Sequence, residues 1–240
     1  MNIIDKIAVG ADNMDWIKIN DTTFRYEDKG VRFFLLIGTE YALLIDSGMT
    51  VKNARELAAE VTSLPVKLFN THTDPDHIGS NEEFTEVMMN PAELVNYRKP
   101  HTSQSIIPVY DGDIIDIGNR PLKAIALPGH TPGSTALLDM NSGMLFSGDP
   151  VQDGKIFMFG PMRELSAYIL SLKRLLTFAD EITAIYPCHG TCPVDVDIIP
   201  KLIDGAERVE RGEITPEPFE MFGHKVAAYD IGAAVLLCDK

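Results

Sequence analysis

The sequence predicts a layered α/β fold in a single domain over residues 1–240. Two observations support this prediction. Short apolar runs typical of strands are interspersed with segments of helical periodicity along the whole chain. No stretch rich in Gly, Ser or Pro separates two halves of the chain, as a linker between domains would. With 45% hydrophobic residues, the chain can also bury a sizeable core without disulfide bridges.

The predicted elements follow one another in a regular order. Apolar runs predict strands at 31–37 and 41–45, separated by a turn at Gly38 and Thr39. A helix is expected at 54–61, a strand at 66–70, and a helix at 91–98 that begins with Pro91, a residue suited to a first helical turn. The later strands are expected at 114–117, 122–127, 135–139, 144–147 and 184–186, with helices at 164–176 and 196–209.

Two further segments complete the pattern. The clearest amphipathic helix is 164–176, in which Leu165, Ile169, Leu172 and Leu176 are expected on the buried face. The C-terminal segment 219–238 predicts two or three short strands, broken at Gly223 and Gly232.

The charge and composition exclude several classes of protein. The formal net charge of -14 repels phosphate backbones and anionic lipid surfaces, so we expect neither a nucleic acid nor a membrane as partner. The longest apolar runs fall short of the ~20 residues that span a bilayer, and the N-terminus lacks the pattern of a signal peptide. Three cysteines suit a reducing compartment. We therefore expect a cytoplasmic protein.

The densest group of chemically active residues follows the predicted strand 66–70. The segment THTDPDH at 71–77 places His72, Asp74, Asp76 and His77 within six positions. Imidazole and carboxylate are the donors that zinc, iron and manganese accept, and loops at strand ends present functional side chains. A solvated polar loop is the alternative interpretation. The density of ligands favours a metal site.

Three later segments also end a predicted strand in a potential ligand. His130 lies in LPGHTPGS at 127–134, Asp149 ends FSGD at 146–149, and His189 lies in YPCHG at 186–190. Each segment alone is weak, because such residues are also common in turns and helix caps. Together with the segment 71–77 they place four of the six histidines at strand ends, where one edge of a sheet could gather them.

The order of these motifs resembles that of the metallo-β-lactamase fold hydrolases. Their hallmarks are a THxHxDH loop, then PGHTxGS, then SGD, and a late PxHG. The earlier segment IDSG at 45–48 matches a further landmark. The resemblance implies a four-layer αββα sandwich with the metal site along one edge of its two sheets. Asp46 matches a supporting position and is not expected to bind metal itself.

The resemblance also implies ligands for two divalent metal ions. The candidate metals are zinc and iron, and manganese is a third candidate. Each ion would be bound by three residues, and one carboxylate would bridge the two ions together with a hydroxide. The first ion would be bound by His72, Asp74 and His130, and the second ion by Asp76, His77 and His189. Asp149 would be the bridging carboxylate.

Asp74 departs from the family pattern, which has a histidine at this position. The carboxylate resembles the flavo-diiron branch of the fold, which has a glutamate there. When only the charges of the ligands are counted, a carboxylate at position 74 makes the net charge of the centre lower by one than a neutral histidine would. A carboxylate is also a harder donor than imidazole and favours iron or manganese over zinc. We therefore expect histidine in place of Asp74 to bind zinc more tightly.

Three functions fit these residues. The first is a dinuclear hydrolase that acts with a metal-bridging hydroxide on a small molecule, either a thioester, a lactone, an amide or a phosphoester. In this function Asp76 is the expected catalytic residue, because it could both bind metal and orient the nucleophile. The alternatives are a di-iron redox protein that acts with a separate flavin partner, and a non-catalytic metal-binding module. The motifs leave the natural substrate and the oligomeric state open.

Three residues outside this ligand set are also potential metal donors. Cys188 adjoins His189, but adjacent side chains on an extended segment point in opposite directions, so Cys188 is expected to pack beneath the sheet. His101 and His224 lie in none of the motifs and are expected at the surface.

Overall fold

The structure is a computed structural model that describes residues 15–97 and 104–239. Within these ranges, sixteen strands form three sheets, and four α-helices connect or follow them. No helix in the described part is long and apolar enough to cross a membrane, since even α4 (Ile198–Glu210) has only 13 residues.

The first sheet has seven strands that lie side by side in chain order. Their bounds are β1 Trp16–Asn20, β2 Thr23–Asp28, β3 Val31–Ile37, β4 Ala42–Ile45, β5 Val66–Phe69, β6 Glu86–Met89 and β7 Ser105–Pro108. The pairs from β1 to β4 are antiparallel, and those from β4 to β7 are parallel. All of β4, and all of β3 except Ile37, is buried, because other layers cover both faces of the sheet.

The second sheet has five strands in the order β13-β11-β10-β9-β8. Their bounds are β8 Ile114–Asp116, β9 Pro121–Ala126, β10 Thr135–Asp139, β11 Met144–Gly148 and β13 Ala184–Pro187. The pair β11–β13 is parallel and the other pairs are antiparallel. Apolar side chains of the two sheets, such as Phe34 and Phe69 in the first and Leu137 and Phe146 in the second, form one core between them.

The helices cover the outer faces of the two sheets. Ala54 and Ala58 of α1 (Ala54–Val61) pack on the first sheet. On the second sheet lie α3 (Leu165–Leu176) and α4, through residues that include Leu172 and Leu202. The layers therefore follow the order helix, sheet, sheet, helix. This confirms the predicted αββα sandwich.

Several predicted elements differ in detail from the structure. The helix expected at 91–98 is a 3-10 turn, Pro91–Glu93, followed by α2 (Leu94–Tyr97), and residue 98 lies outside the described residues. In α3 the expected buried residue Leu176 is 39% exposed, while Tyr168 and Leu175 are fully buried. The helix packs through Tyr168, Leu172 and Leu175 because it must cover β10 and β11 together with α4.

The C-terminal segment forms a third sheet with a strand that the sequence analysis did not predict. The strand β12 (Lys155–Met158) pairs in parallel with β16 (Val235–Cys238), which is followed across the sheet by β15 (His224–Asp230) and β14 (Glu217–Met221). The strands are interrupted at Gly223 and Gly232, as expected. The whole sheet has the order β12-β16-β15-β14.

Candidate metal centre

The seven expected ligands lie together at one edge of the two sheets. The loop with His72, Asp74, Asp76 and His77 follows β5 of the first sheet. The other three residues each follow a strand of the second sheet: His130 comes after β9, Asp149 after β11, and His189 after β13. The strand ends of both sheets thus supply ligand atoms from opposite sides.

Three of these residues form a first group, which consists of His72, Asp74 and His130. Their potential ligand atoms all lie within 4.8 Å of one another. Nε2 of His130 is 3.2 Å from Nε2 of His72, and Oδ2 of Asp74 is 3.4 Å and 3.7 Å from these two nitrogens. The spacing is suited to one cation bound by two imidazoles and a carboxylate.

A second group consists of Asp76, His77 and His189, whose ligand atoms also lie within 4.8 Å of one another. Oδ2 of Asp76 is 3.2 Å from Nε2 of His189 and 3.5 Å from Nε2 of His77. The Asp76 side chain is 30% exposed, whereas that of His77 is fully buried. The second group is therefore the one whose carboxylate is more open to solvent.

Asp149 lies between the two groups and presents one oxygen to each. Oδ1 is 3.3 Å from Nε2 of His77 and 3.4 Å from Nε2 of His189. Oδ2 is 3.7 Å from Nε2 of His130 and 4.0 Å from Nε2 of His72. A carboxylate in this position can contact cations in both groups at once.

Backbone carbonyls orient two of the four imidazoles. Nδ1 of His130 is 2.8 Å from the carbonyl oxygen of Phe157, and Nδ1 of His189 is 2.7 Å from that of Gly30. A carbonyl oxygen only accepts hydrogen bonds, so each Nδ1 carries the proton and donates it. In the neutral form of each ring the lone pair is therefore on Nε2, which faces the centre.

Asp46 and Thr71 orient the other two imidazoles. Oδ2 of Asp46 accepts a hydrogen bond from Nδ1 of His77 at 2.9 Å and another from the Thr71 hydroxyl at 2.7 Å. Because that hydroxyl donates its proton to Asp46, its oxygen is left to accept from Nδ1 of His72, 3.0 Å away. Asp46 thus supports His77 directly and His72 through Thr71, and hydrogen-bond acceptors of this kind fix the orientation of metal-binding imidazoles.

The three carboxyl groups are ionised in this environment. Burial raises the pKa of Asp74, Asp76 and Asp149, but hydrogen bonds and charges from the imidazoles that face them outweigh burial. Arg163 adds to this effect at Asp74. The net result is that all three pKa values lie below the usual range of an aspartate, so each group offers a negatively charged oxygen.

The imidazoles differ in their proton affinity. Burial, together with the neighbouring His77, lowers the pKa of His72 to about 4, so this ring is neutral at pH 7. Burial opposes protonation of His77 and His189 as well, but the facing carboxylates outweigh it and raise both pKa values. A divalent cation would take the place of the protons that these two rings hold without it.

Among the seven proposed ligands, two buried atoms lack a hydrogen-bond partner in the structure. They are Nε2 of His77 and Oδ1 of Asp149, which lie 3.3 Å apart. Buried polar atoms without partners are costly and call for an explanation such as an ion. A cation bound by both atoms would satisfy them, so the residues present fit a metal ion.

The sequence analysis missed two charged residues that contact the ligand loop. Arg163 lies with Nη2 2.6 Å from Oδ2 of Asp74. The buried carboxylate of Glu93 accepts hydrogen bonds from the Thr73 backbone at 2.9 Å and from the Gly133 backbone at 2.7 Å, which ties the loops of His72 and His130 together. Neither residue belongs to a motif, and only the folded chain brings them to the centre.

The residues expected outside the ligand set are placed as follows. Cys188 is buried in the core between the sheets, as expected, with Sγ 3.5 Å from Oδ2 of Asp46, and burial raises the pKa of its thiol. His224 is exposed at the start of β15, with its ring centroid 5.9 Å from that of Phe159. His101 lies outside the described residues.

Comparison with known proteins agrees with this arrangement. The family model of the metallo-beta-lactamase superfamily matches residues 28–189. The human protein acyl-coenzyme A thioesterase MBLAC2 is 26% identical over 224 residues, which cover 75% of this chain and 78% of that protein. The hydroxyacylglutathione hydrolase of Maricaulis maris is 30% identical over 126 residues, which cover 51% of this chain and 47% of that protein.

A solved structure shows the same fold. The metallo-beta-lactamase from Pontibacter korlensis superposes with a TM-score of 0.70 at 18% identity, over 81% of this chain and 99% of that one. The family match covers well over half of the chain and includes all seven expected ligands. The chain belongs to the metallo-beta-lactamase superfamily.

Proposed function

We propose that this protein is a hydrolase that binds two divalent metal ions and cleaves acyl thioesters. The observation that carries the proposal is the position of Asp149, whose two oxygens face two separate groups of imidazole Nε2 atoms at 3.3–4.0 Å. The substrate class rests on relatives that are named acyl-coenzyme A thioesterase and hydroxyacylglutathione hydrolase.

The chemistry divides between the cations and the side chains. When bound, two divalent cations polarise a carbonyl oxygen and lower the pKa of water. Asp76 is the proposed catalytic residue, because its carboxylate is ionised, partly exposed and close to the Nε2 atoms of His189 and His77. It orients the attacking water, which releases a proton to solvent. Water adds to the carbonyl carbon, the carbon–sulfur bond breaks, and protonation of the sulfur from solvent yields a carboxylic acid and a thiol.

The donor atoms limit the metal to three candidates. The first group offers two imidazoles and one carboxylate, a set that suits iron as well as zinc, and manganese is the third candidate. Elemental analysis of protein purified without chelator is expected to approach two equivalents of these metals per chain. A value near zero, also after reconstitution with each metal in turn, would overturn the proposal.

An activity assay tests the substrate class. Acyl-coenzyme A is offered to the metal-loaded protein, and the free thiol is measured with a colorimetric thiol reagent; a lactone, an amide and a phosphoester serve as comparison substrates. Thiol release that disappears on chelation and returns with metal supports the proposal. If two equivalents are bound but only another substrate class is hydrolysed, thioesters are excluded as the substrate.

A further inference from the structure

The guanidinium of Arg163 and the first group share one oxygen atom. Oδ2 of Asp74 is 2.6 Å from Nη2 of Arg163, and the same oxygen is 3.4 Å from Nε2 of His130. The side chains of Arg163 and Asp74 are only 12% and 19% exposed. The pair is therefore part of the candidate metal centre, unlike a salt bridge between fully solvated side chains.

The backbone fixes Arg163 in this position. The preceding residue, Met162, has a φ of +66°, a left-handed conformation that is unfavourable for a residue with a side chain. The following residue, Glu164, donates its backbone N–H to the carbonyl of Gly129 at 2.9 Å, next to His130. Glu164 also caps α3 through its side chain. Arg163 is thus held between a strained residue and the loop that carries a proposed ligand.

The contact between Asp74 and Arg163 balances the charge that Asp74 brings to the centre. The family pattern has a neutral imidazole at position 74, whereas this chain has a carboxylate with a negative charge. Arg163 carries a positive charge and contacts that carboxylate. The formal charges of Asp74 and Arg163 add up to zero, which equals the charge of a neutral imidazole.

We propose that Asp74 and Arg163 act together as one neutral ligand unit, in which Asp74 donates to the metal and Arg163 is a positioning residue that cancels its charge. The inference rests on the proposed two-metal function. It also reverses the expectation from the sequence, which counted ligands only and predicted tighter zinc binding with histidine at position 74. With Arg163 present, that histidine would leave an uncompensated positive charge beside two cations.

The proposal predicts the order of metal affinity in four proteins. Arg163→Met leaves Asp74 uncompensated, so its negative charge attracts the cation more strongly than in the wild type. Asp74→His leaves the guanidinium uncompensated and weakens binding. The double substitution Asp74→His with Arg163→Met restores a neutral unit and is expected to bind about as well as the wild type. The four proteins thus form three levels of zinc affinity, with the wild type and the double variant sharing the middle level, and successive levels should differ by about tenfold.

The experiment measures zinc affinity in competition with a chromophoric chelator. The wild type, both single variants and the double variant are compared, with Arg163→Lys as the conservative variant that keeps the charge and is expected to match the wild type. Thermal unfolding of all five proteins without metal identifies any variant that fails to fold. If Arg163→Met fails to fold it is replaced by Arg163→Gln, and if Asp74→His fails to fold it is replaced by Asp74→Asn; each replacement removes the same charge.

The direction in which zinc affinity changes when Arg163 is removed distinguishes the two roles of this residue. If Arg163 serves only to hold the loop, its removal weakens zinc binding and does so equally with either residue at position 74. Zinc binding by Arg163→Met that is no tighter than by the wild type, or by the double variant that is no tighter than by Asp74→His, overturns this proposal while the two-metal hydrolase stands. A wild type that binds no metal overturns both.

Discussion

Asp46 lies directly behind His77, with its Oδ2 atom 2.9 Å from the Nδ1 atom of that imidazole and both side chains fully buried. The contact fixes the proton on Nδ1 and directs Nε2 to the candidate metal centre. Asp46 is therefore expected to tune the metal affinity without touching a metal ion.

Substitution of Asp46 tests this role. Asp46→Asn keeps the shape of the side chain but removes the charge that supports His77, so we expect metal affinity to fall by about 10–100-fold. The affinity is measured in competition with a chelator.

A matched control is available at a distance from the centre. Asp139→Asn changes another buried aspartate, which pairs with Arg120 at 2.9 Å at the far end of β10. It should lower the free energy of unfolding by about 1–3 kcal/mol and leave metal affinity unchanged. Equal losses of metal affinity in both variants would contradict the role assigned to Asp46.

Loss of the carboxylate between the two groups should abolish hydrolysis. Asp149→Ala removes both oxygens that face the imidazoles, so we expect activity to fall at least about a hundredfold and metal content to fall below two equivalents. His224→Ala changes an exposed imidazole and should leave both quantities close to those of the wild type. The assignment of the centre is wrong if the His224 variant loses activity and the Asp149 variant retains it.

Removal of metal should make stability sensitive to alkaline pH. Without metal, the pKa values of His77 and His189 lie above the value of about 6.5 for an unfolded chain. Their protonated rings then stabilise the fold fully below about pH 6.5, and this contribution is lost as the pH rises through the raised values. The melting temperature of metal-free protein is therefore expected to fall as the pH rises above about 6.5.

Bound metal should prevent this loss of stability at alkaline pH. Deprotonation of the two imidazoles strengthens metal binding, so the melting temperature with excess zinc should not fall over the same range. Calorimetry with zinc and with chelator at several pH values measures the difference. A difference that stays constant from about pH 6.5 to 9 would show that these imidazoles do not exchange protons for metal.

The close packing of Gly129 against α3 should make it intolerant of a side chain. A Cβ atom at this position, where φ is +137°, would lie 2.4 Å from the backbone N and Cα of Tyr168. Gly129→Ala is therefore expected to lower the free energy of unfolding by more than about 3 kcal/mol and to weaken metal binding through the neighbouring His130.

Gly112 provides the control for backbone conformation alone. It also has a positive φ, of +84°, but a Cβ atom there would meet nothing within 4 Å. Gly112→Ala should cost only about 1–2 kcal/mol. Chemical denaturation of both variants measures the difference, and equal losses would show that the contact with Tyr168 is not responsible.

The parts of the fold that the sequence predicted are those with a strong local signal. The continuous apolar run of β3 and the spacing of α1 gave the correct bounds, because both elements bury apolar side chains in a regular pattern. The strands β1 and β2 were missed. Their polar side chains, such as Lys18 and Glu27, suit a solvated loop equally well, and only pairing with β3 makes these segments strands.

The proposed ligands could be predicted for a different reason from their supporting residues. His72, Asp74 and His77 share one short loop, so their proximity is a property of the sequence itself. The contact between Asp74 and Arg163 joins residues 89 positions apart. Such a contact depends on the path of the chain between the two residues, and no motif near either of them records it.

The centre draws its proposed ligands from both sheets, and this gives bound metal a mechanical role. His72 and Asp76 belong to a loop of the first sheet, whereas His130 and His189 follow strands of the second. Cations bound across this boundary would cross-link the two halves of the sandwich at its open edge, as a disulfide does between distant segments. The unfolded chain has no such arrangement of donors. The full set of proposed ligands for each metal ion would therefore exist only when the two sheets are docked, and release of the metal would loosen the sandwich at this edge.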